Sequence, residues 1–226
     1  MATPFIRGHI LSYTDHPGLL SLVFYTDLNK CNLDCYCCHN KFASKNMKKP
    51  EFYKTSEVIS IINDSKILGI DLIIICGGEP TFFVNELKEK LIKIRNIVNL
   101  PIRIDTNGQL PDKIEELKSC CDGFAVDLKI PIKGSYNIEE SMKYSEIIGS
   151  YDLKTYSDNL LRTINIVKDM KYTIFRTVRY PQLSEEEIRF NYNLFDFKDK
   201  YYFLDFYNFN YHKLIGDSVY ELVESC

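Results

Sequence analysis

The sequence lacks a long apolar run, an excess of basic residues and a secretion signal, and each absence excludes a class of protein. No stretch approaches the ~18 consecutive apolar residues of a membrane span. The 28 lysine and arginine residues are offset by 31 acidic residues, which argues against a nucleic-acid binder that relies on bulk positive charge. Residues Met1 to His9 lack the basic and apolar segments of a secretion signal. We therefore expect a cytoplasmic protein that binds neither membranes nor nucleic acid.

Internal repeats, low-complexity segments and linkers rich in proline, glycine or serine are also missing, so the sequence marks no second domain. The chain has 226 residues, of which 45% are hydrophobic, and this is enough for a sizeable core. We expect a single domain with a core at about residues 18–210, flanked by an N-terminal extension, 1–17, and a C-terminal extension, 211–226.

Strand-like and helix-like segments alternate along the chain. Apolar runs predict six strands, at residues 20–26, 70–76, 101–105, 123–130, 171–179 and 201–207. Helical periodicity predicts helices at residues 55–68, 85–98, 112–119, 138–148, 158–170 and 184–194. This alternation implies an α/β fold with parallel strands and right-handed crossovers. Both a doubly wound sheet and a partial barrel satisfy it, and in both the ligand site lies at the carboxyl ends of the strands.

Chemically suggestive residues lie at the ends of four of these strands. A cysteine cluster follows the first strand, Gly77-Gly78-Glu79-Pro80 follows the second, Thr106-Asn107-Gly108 follows the third, and Lys129 lies at the end of the fourth. Since the carboxyl ends of parallel strands meet at one edge of a sheet, we expect these groups to form one site.

The cysteine cluster indicates metal chemistry. Four of the eight cysteines fall at Cys31, Cys35, Cys37 and Cys38, and a disulfide framework is not expected in a long chain with an ample core. The spacing of Cys31, Cys35 and Cys38 suits zinc or an iron–sulfur cluster. A closed zinc site needs a fourth ligand, which His39 is poorly placed to supply, whereas three thiolates on a four-iron cluster leave one iron open. The spacing favours the cluster, while zinc and a site without metal stay open.

These motifs resemble those of the radical S-adenosylmethionine (SAM) superfamily. The Cys-x3-Cys-x2-Cys loop and the Gly-Gly-Glu-Pro motif carry this likeness. The chain further resembles the glycyl-radical-enzyme activating enzymes, those of anaerobic ribonucleoside-triphosphate reductase and pyruvate formate-lyase, over about residues 14–181. The motifs that carry the closer likeness are Asp15-His16-Pro17-Gly18, Cys38-His39-Asn40, Asp105-Thr106-Asn107-Gly108 and Asp127-Leu128-Lys129. The fold that the resemblance implies is a partial (βα)6 barrel.

The resemblance also implies a cofactor set and a reaction. Cys31, Cys35 and Cys38 would ligate three irons of a [4Fe–4S] cluster, and SAM would chelate the fourth. Reductive cleavage of SAM would give a 5′-deoxyadenosyl radical that abstracts hydrogen from a glycine of a partner enzyme such as an anaerobic ribonucleotide reductase. The implied partners are that protein substrate and an electron donor of the flavodoxin or ferredoxin type.

Further positions are assigned by the same resemblance. Gly77, Gly78, Glu79 and Pro80 would bind the SAM amino group, and Lys129 would help to hold the methionine carboxylate.

Asp105, Thr106 and Asp127 match positions that hold a monovalent cation near SAM in the pyruvate formate-lyase activator. Asn107 is a further candidate cofactor contact. Tyr36 is the candidate adenine partner, because Cys37 stands where the family usually has an aromatic residue.

Two other functions stay open at this point. A radical SAM enzyme that acts on a peptide or small molecule would keep the cofactors and change the substrate. A non-catalytic zinc or iron–sulfur module would hold a metal without binding SAM. The C-terminal aromatic residues suit either the packing of the last strand or a protein-docking surface, and the lysine-rich segment 41–54 is predicted to be a mobile exposed loop. The aromatic residues are Tyr201, Tyr202, Phe203, Phe206, Tyr207, Phe209 and Tyr211.

Overall fold

Strands and helices alternate along the chain as the sequence predicts. The computed structural model describes residues 2–46 and 49–208. The strands are β1 (Ala2–Ser12), β2 (Ser21–Tyr25), β3 (Phe52–Lys54), β4 (Leu72–Cys76), β5 (Ile102–Thr106), β6 (Gly123–Asp127), β7 (Ile174–Val178) and β8 (Tyr201–Leu204). The helices are α1 (His39–Asn46), α2 (Thr55–Lys66), α3 (Val84–Arg95), α4 (Pro111–Leu117), α5 (Ile138–Ile148), α6 (Leu153–Val167) and α7 (Glu185–Leu194).

Within residues 2–46 and 49–208 the eight strands form one sheet in the order β3-β1-β2-β4-β5-β6-β7-β8. The strands β2 and β4 to β8 are parallel, and Tyr25 at the end of β2 lies opposite Cys76 at the end of β4. The strand β1 runs antiparallel to both β2 and β3. Because β3 and β8 lie at opposite ends of this order, the barrel is not closed. The fold is the expected partial (βα)6 barrel.

Polar side chains fix the starts of two helices beside the predicted site. Asn137 and Glu140 cap α5 reciprocally, each side chain accepting a hydrogen bond from the other residue's backbone N–H at 2.9 and 3.1 Å. Asp152 Oδ1 accepts from Thr155 N at 2.7 Å, so α6 begins at Leu153 rather than at residue 158.

Among the described residues, none of the helices has the length and apolar character that a membrane span requires.

The two faces of the sheet differ in character. Ile73 and Ile75 of β4 belong to the main core between the sheet and the helices. Ile74, between them, points to the other face, where it packs with Leu72. It lies opposite Arg103 of β5 in the register, and Arg103 is fully buried. The inner face of the barrel therefore carries apolar side chains on β4, those of Leu72 and Ile74, and a charged side chain, that of Arg103, on β5.

Three elements lie where the sequence predicted none. The strand β1 lies within the segment assigned to an N-terminal extension, and β3 and most of α1 lie within the segment 41–54 that the sequence predicts to be a loop. The apolar pattern misses β1 because Ile10 and Leu11, in its second half, are both exposed, so the strand shows no continuous apolar run. The division into one core and two extensions stays a prediction, and the C-terminal extension, 211–226, lies outside the described residues.

Candidate active site

A cavity of about 280 Å³ opens at the carboxyl ends of the parallel strands. It brings together residues from all four strand-end motifs. Its wall includes Cys31, Cys35, Tyr36, Cys38, Gly77, Gly78, Asp105, Thr106, Asn107, Asp127 and Lys129. Glu79 and Pro80, the two remaining predicted site residues, are buried behind the wall. The expected convergence of the motifs is therefore present in the structure.

The cysteine loop, which joins β2 to α1, is fixed by the end of α5. Asp34 N donates to Ile148 O at 3.1 Å, and Tyr36 N donates to Ile147 O at 2.9 Å. These two carbonyl groups belong to the last turn of α5, which has no partners for them within the helix. Gly149 follows with a φ of +84°, and a Cβ there would lie 2.7 Å from Asp34 Cβ. A side chain at residue 149 would push the loop away from the helix.

Gly77 and Gly78 pack against the chain that leads into the cysteine loop. A Cβ on Gly77 would lie 2.3 Å from Thr26 Oγ1, and one on Gly78 would lie 2.4 Å from Lys30 O. Glu79 N donates to the same Lys30 carbonyl at 2.7 Å. Both glycines also line the cavity. Because neither glycine has a side chain, the two backbone segments of the site can touch. Contact of the two glycines with the SAM amino group stays a prediction.

The Glu79 side chain ties the loop after β4 to the loop after β5. Its carboxylate accepts from Thr81 N and Oγ1 at 3.2 and 2.6 Å, from Thr106 Oγ1 at 2.8 Å and from Asn107 N at 2.8 Å. Complete burial raises its pKa, and these hydrogen bonds oppose that effect. The carboxylate therefore holds the wall of the cavity from behind.

The three predicted ligands are partly buried thiols on one wall. Burial raises the pKa of Cys31, and it raises the pKa of Cys35 to about 11, although the charge of Lys129 opposes both shifts. Leu33 N lies 3.5 Å and Asn107 Nδ2 lies 3.6 Å from Cys31 Sγ, so N–H donors already face this sulfur. Metal binding at this wall would release thiol protons, and the nearby ammonium group of Lys129 would favour the thiolates that remain.

The donor set of this wall suits an iron–sulfur cluster. Cys31, Cys35 and Cys38 all line the cavity, and a four-iron cluster takes each thiolate on a different iron. His39, considered as a fourth zinc ligand, is exposed at the start of α1 and lies directly beside Cys38 in the chain. The residues present therefore fit the cluster that the resemblance implies.

A row of buried and partly buried charges lies on the other side of the cavity. Arg176 Nη1 donates to Asp105 Oδ2 at 2.8 Å, and Arg176 Nε donates to Asp127 Oδ1 at 2.9 Å. Lys129 Nζ donates to Asp127 Oδ2 at 2.9 Å, and Arg103 Nε donates to Asp105 Oδ1 at 2.9 Å. Burial alone would raise the pKa of Asp127, but the charges of Arg176 and Lys129 hold it at about 2. Asp127 is therefore ionised at neutral pH, and Lys129 is fixed beside the cavity.

Sequence reasoning missed Arg176, although a signal for it was available. It is the single charged residue in β7, Ile174–Val178, and its side chain lies on the inner face. A charged residue inside an apolar strand either faces solvent or pairs with another charge. Here the register of β6 and β7 places Arg176 opposite Asp127. The guanidinium thus lies between the two carboxylates that the resemblance assigned to a monovalent cation.

Aromatic side chains form a third wall. Tyr36 stacks on Phe206 with ring centroids 5.7 Å apart, and Tyr180 lies 5.8 Å from Phe206. Phe206 and Tyr207 line the cavity, whereas Tyr201 and Phe203 pack against Tyr192 of α7. The C-terminal aromatic residues therefore divide between strand packing and the cavity wall. Two further members of the set, at 209 and 211, lie outside the described residues.

Comparison with known proteins agrees with this geometry. Residues 25–195 match the sequence family described as the radical SAM superfamily. The chain is 33% identical over 187 residues to a protein of Methanocaldococcus jannaschii that carries the name of a glycyl-radical enzyme activating enzyme. This match covers 78% of the chain and 68% of the relative.

Solved structures share the fold at low sequence identity. SuiB of Streptococcus suis bound to S-adenosylmethionine matches with a TM-score of 0.57 and 17% identity, covering 90% of this chain and 46% of SuiB. The enzyme anSMEcpe with bound S-adenosylmethionine matches with a TM-score of 0.52 and 18% identity, covering 78% of this chain and 48% of that one. The chain thus spans less than half the length of either solved structure.

Proposed function

The chain belongs to the radical SAM superfamily, and from that premise we propose that it is an activating enzyme for a glycyl radical enzyme. Its cofactors are a [4Fe–4S] cluster and SAM. When bound and given one electron by a donor, they would supply methionine and a 5′-deoxyadenosyl radical, which is reactive enough to take a hydrogen atom from a carbon of a substrate. The substrate in this proposal is a backbone glycine of a partner enzyme related to anaerobic ribonucleotide reductase. Transfer of that hydrogen atom would yield 5′-deoxyadenosine and leave the radical on the glycine α-carbon.

One observation carries the subtype. The relative from M. jannaschii named as a glycyl-radical enzyme activating enzyme matches at 33% identity over most of both chains. The shared fold alone would not distinguish an activating enzyme from other radical SAM enzymes, because one fold can host many different functions. The motifs that resemble activating enzymes, from Asp15 to Lys129, support the same subtype.

In this proposal one wall of the cavity would hold the cluster and the other would orient SAM. In this proposal Cys31, Cys35 and Cys38 hold the cluster on one wall. Lys129, fixed by Asp127 at 2.9 Å, would orient the SAM carboxylate from the other. Because Asp127 is ionised and hydrogen-bonded, the ammonium group of Lys129 keeps its proton and its direction.

The remaining walls would exclude water and admit a protein. The loop that Glu79 fixes closes the cavity from behind, and Tyr36 with Phe206 covers one side. A dry cavity protects a reactive radical from side reactions. The barrel is open at β3 and β8, and this supports entry of an extended glycine-containing loop of a partner.

The test uses the complete chain under anaerobic conditions. We would reconstitute the protein with iron and sulfide, reduce it with dithionite or a reduced flavodoxin, and add SAM with a glycyl radical enzyme encoded in the same genome. The expected results are a reduced-cluster electron paramagnetic resonance signal that changes with SAM, formation of 5′-deoxyadenosine, and a glycyl radical on the partner. Cys38→Ser should abolish all three, whereas Cys37→Ser, which changes the neighbouring thiol, should retain them.

The outcomes separate the alternatives. Formation of 5′-deoxyadenosine without a glycyl radical would reject the activating function and leave a radical SAM enzyme with a peptide or small-molecule substrate. Retention of zinc without affinity for SAM would indicate a structural metal module. Equal loss of the cluster in Cys37→Ser and Cys38→Ser would contradict the assignment of the three ligands.

A further inference from the structure

The position between Asp105 and Asp127 is filled by a side chain of this chain. Arg176 bridges the two carboxylates through contacts of 2.8 and 2.9 Å, and its side chain is only 13% exposed. The two carboxylates belong to neighbouring strands, β5 and β6, and Arg176 reaches both from β7. A guanidinium offers several N–H donors in one plane, so it can satisfy two carboxylates at once.

The oxygen atoms that a metal ion would need already accept hydrogen bonds. Asp105 Oδ1 accepts from Arg103 Nε at 2.9 Å, and Asp105 Oδ2 accepts from Arg103 Nη2 at 3.2 Å as well as from Arg176. Asp127 Oδ2 accepts from Lys129 Nζ at 2.9 Å. The third expected ligand, Thr106, donates its hydroxyl to Glu79 at 2.8 Å and accepts from Gly108 N at 3.1 Å. An added ion would have to displace several of these contacts.

The charge balance also opposes an added cation. The row contains three positive side chains, those of Arg103, Arg176 and Lys129, and two carboxylates, those of Asp105 and Asp127. One positive charge therefore remains without a carboxylate in the row. A metal cation would add a second one in a buried place, which is costly. One carboxylate of a ligand would instead neutralise the row. The low pKa of Asp127 agrees with this count, since it keeps that carboxylate charged at neutral pH.

We propose that the Arg176 guanidinium is the resident cation of this site, replacing a monovalent metal ion, and that it positions Asp127 and Lys129 to receive the carboxylate of SAM. The inference rests on the proposed function to the extent that SAM is the ligand. Arg176 is a positioning residue here, because it acts through Asp127 and Lys129. Binding of SAM is accordingly independent of sodium and potassium in this chain.

The experiment measures how SAM affinity depends on the monovalent cation. Equilibrium binding of SAM to reconstituted wild type, Arg176→Gln, Arg176→Lys and the control Arg162→Gln is compared in potassium, sodium and tetramethylammonium chloride at equal ionic strength. Arg162 is exposed and pairs with exposed Asp112. The same salts are compared in thermal unfolding of the metal-free proteins, a readout that needs neither cluster nor SAM.

We expect the affinity of wild type and of Arg162→Gln to change less than about twofold between the salts. Arg176→Gln should bind SAM about tenfold or more weakly in tetramethylammonium, since a buried charge pair is broken. Potassium or sodium should restore part of that affinity and raise the melting temperature of this variant alone. Arg176→Lys should keep the insensitivity to salt, because it keeps the charge.

Wild-type affinity that depends on potassium or sodium would overturn the inference and leave the proposed function intact. If Arg176→Gln does not fold, the salt dependence of SAM binding by wild type and Arg176→Lys still tests the inference, because both should bind SAM equally well in the three salts. A salt response that is equal in all variants would also overturn it. Conversely, cation-independent SAM binding without a glycyl radical on the partner would reject the proposed function and leave this inference standing.

Discussion

The two walls of the cavity are held in place by different forces. The cysteine loop is fixed by backbone hydrogen bonds to α5 and by close packing against glycines, as in the approach of Gly78 to Lys30 O. The charged wall is fixed by side-chain ion pairs that link β5, β6 and β7. The first wall requires glycines, whose missing side chains let the backbone segments touch. The second wall requires carboxylates and cationic side chains that pair with each other.

This difference suits what each wall would do. A loop that surrounds a cluster must bring several thiols to fixed places, and backbone contacts leave its side chains available for that purpose. A wall that receives a charged ligand must keep its own charges fixed before the ligand arrives. The two walls should therefore fail in different ways when they are altered, and the following variants test that expectation.

The largest effect is expected for Asp127→Asn on the charged wall. The substitution removes the carboxylate partner of Lys129 and one of the two carboxylate partners of Arg176, and breaking a buried pair in this way costs about 3–5 kcal/mol. Denaturant unfolding of the metal-free protein measures the change. Asp112→Asn is the control, because Asp112 pairs with Arg162 on the surface and should cost less than about 1 kcal/mol. Equal costs for the two variants would mean that the row of charges contributes no more than a surface pair.

A smaller loss of stability, caused by a steric clash, is expected for Gly78→Ala at the cysteine loop. The new Cβ would lie 2.4 Å from Lys30 O, so the loop must move, at a cost of about 1–3 kcal/mol. Gly134→Ala is a matched control, because nothing lies within 4 Å of its added Cβ. We expect Gly78→Ala to bind less iron per chain as well, while Asp127→Asn keeps its iron content. Normal iron content in Gly78→Ala would show that the loop tolerates displacement.

The sequence predicts the cysteine wall more completely than the charged wall. The positions of Cys31, Cys35 and Gly77 after predicted strands place them at one edge of the sheet, and the structure brings them to one cavity. Such predictions need only the strand pattern, since the carboxyl ends of parallel strands meet wherever the strands pair.

The contacts of Glu79 and Arg176 could not be predicted in this way. The assignment of Glu79 to SAM stays a prediction, whereas the contacts of its carboxylate with Thr81, Thr106 and Asn107 are seen only in the structure. The position of Arg176 opposite Asp127 depends on the register of β6 and β7, which the apolar pattern does not specify. Side-chain contacts between strands can thus be identified only from the structure, whereas the residues at the ends of the strands can be predicted from the sequence.

Acid should weaken the charged wall and spare the cysteine loop. The pKa of Asp127 is about 2 in the folded protein, against 3.8 for an ordinary aspartate, so its ionised form stabilises the fold above pH 4. That contribution, about 2 kcal/mol, is lost as pH falls from about 4 to about 2. We expect the free energy of unfolding of wild type to fall more steeply over this range than that of Asp127→Asn. Parallel pH profiles for the two proteins would contradict the assignment.

The smallest effect on stability is expected for Tyr36→Leu, which distinguishes packing from ligand contact on the cysteine loop. Tyr36 is 38% exposed and its ring stacks on Phe206 with centroids 5.7 Å apart, and such a pair contributes about 0.5–1.5 kcal/mol. Leucine keeps the apolar bulk and removes the stacking face. If Tyr36 is the adenine partner, SAM affinity should fall by about tenfold while the melting temperature changes little, because a lost aromatic contact acts on the ligand more than on the fold. Phe206→Leu is the paired variant, since it removes the same stack from the other side. If the two substitutions lower the affinity equally, the stacked pair acts as a unit; if neither lowers it, adenine is bound by another wall.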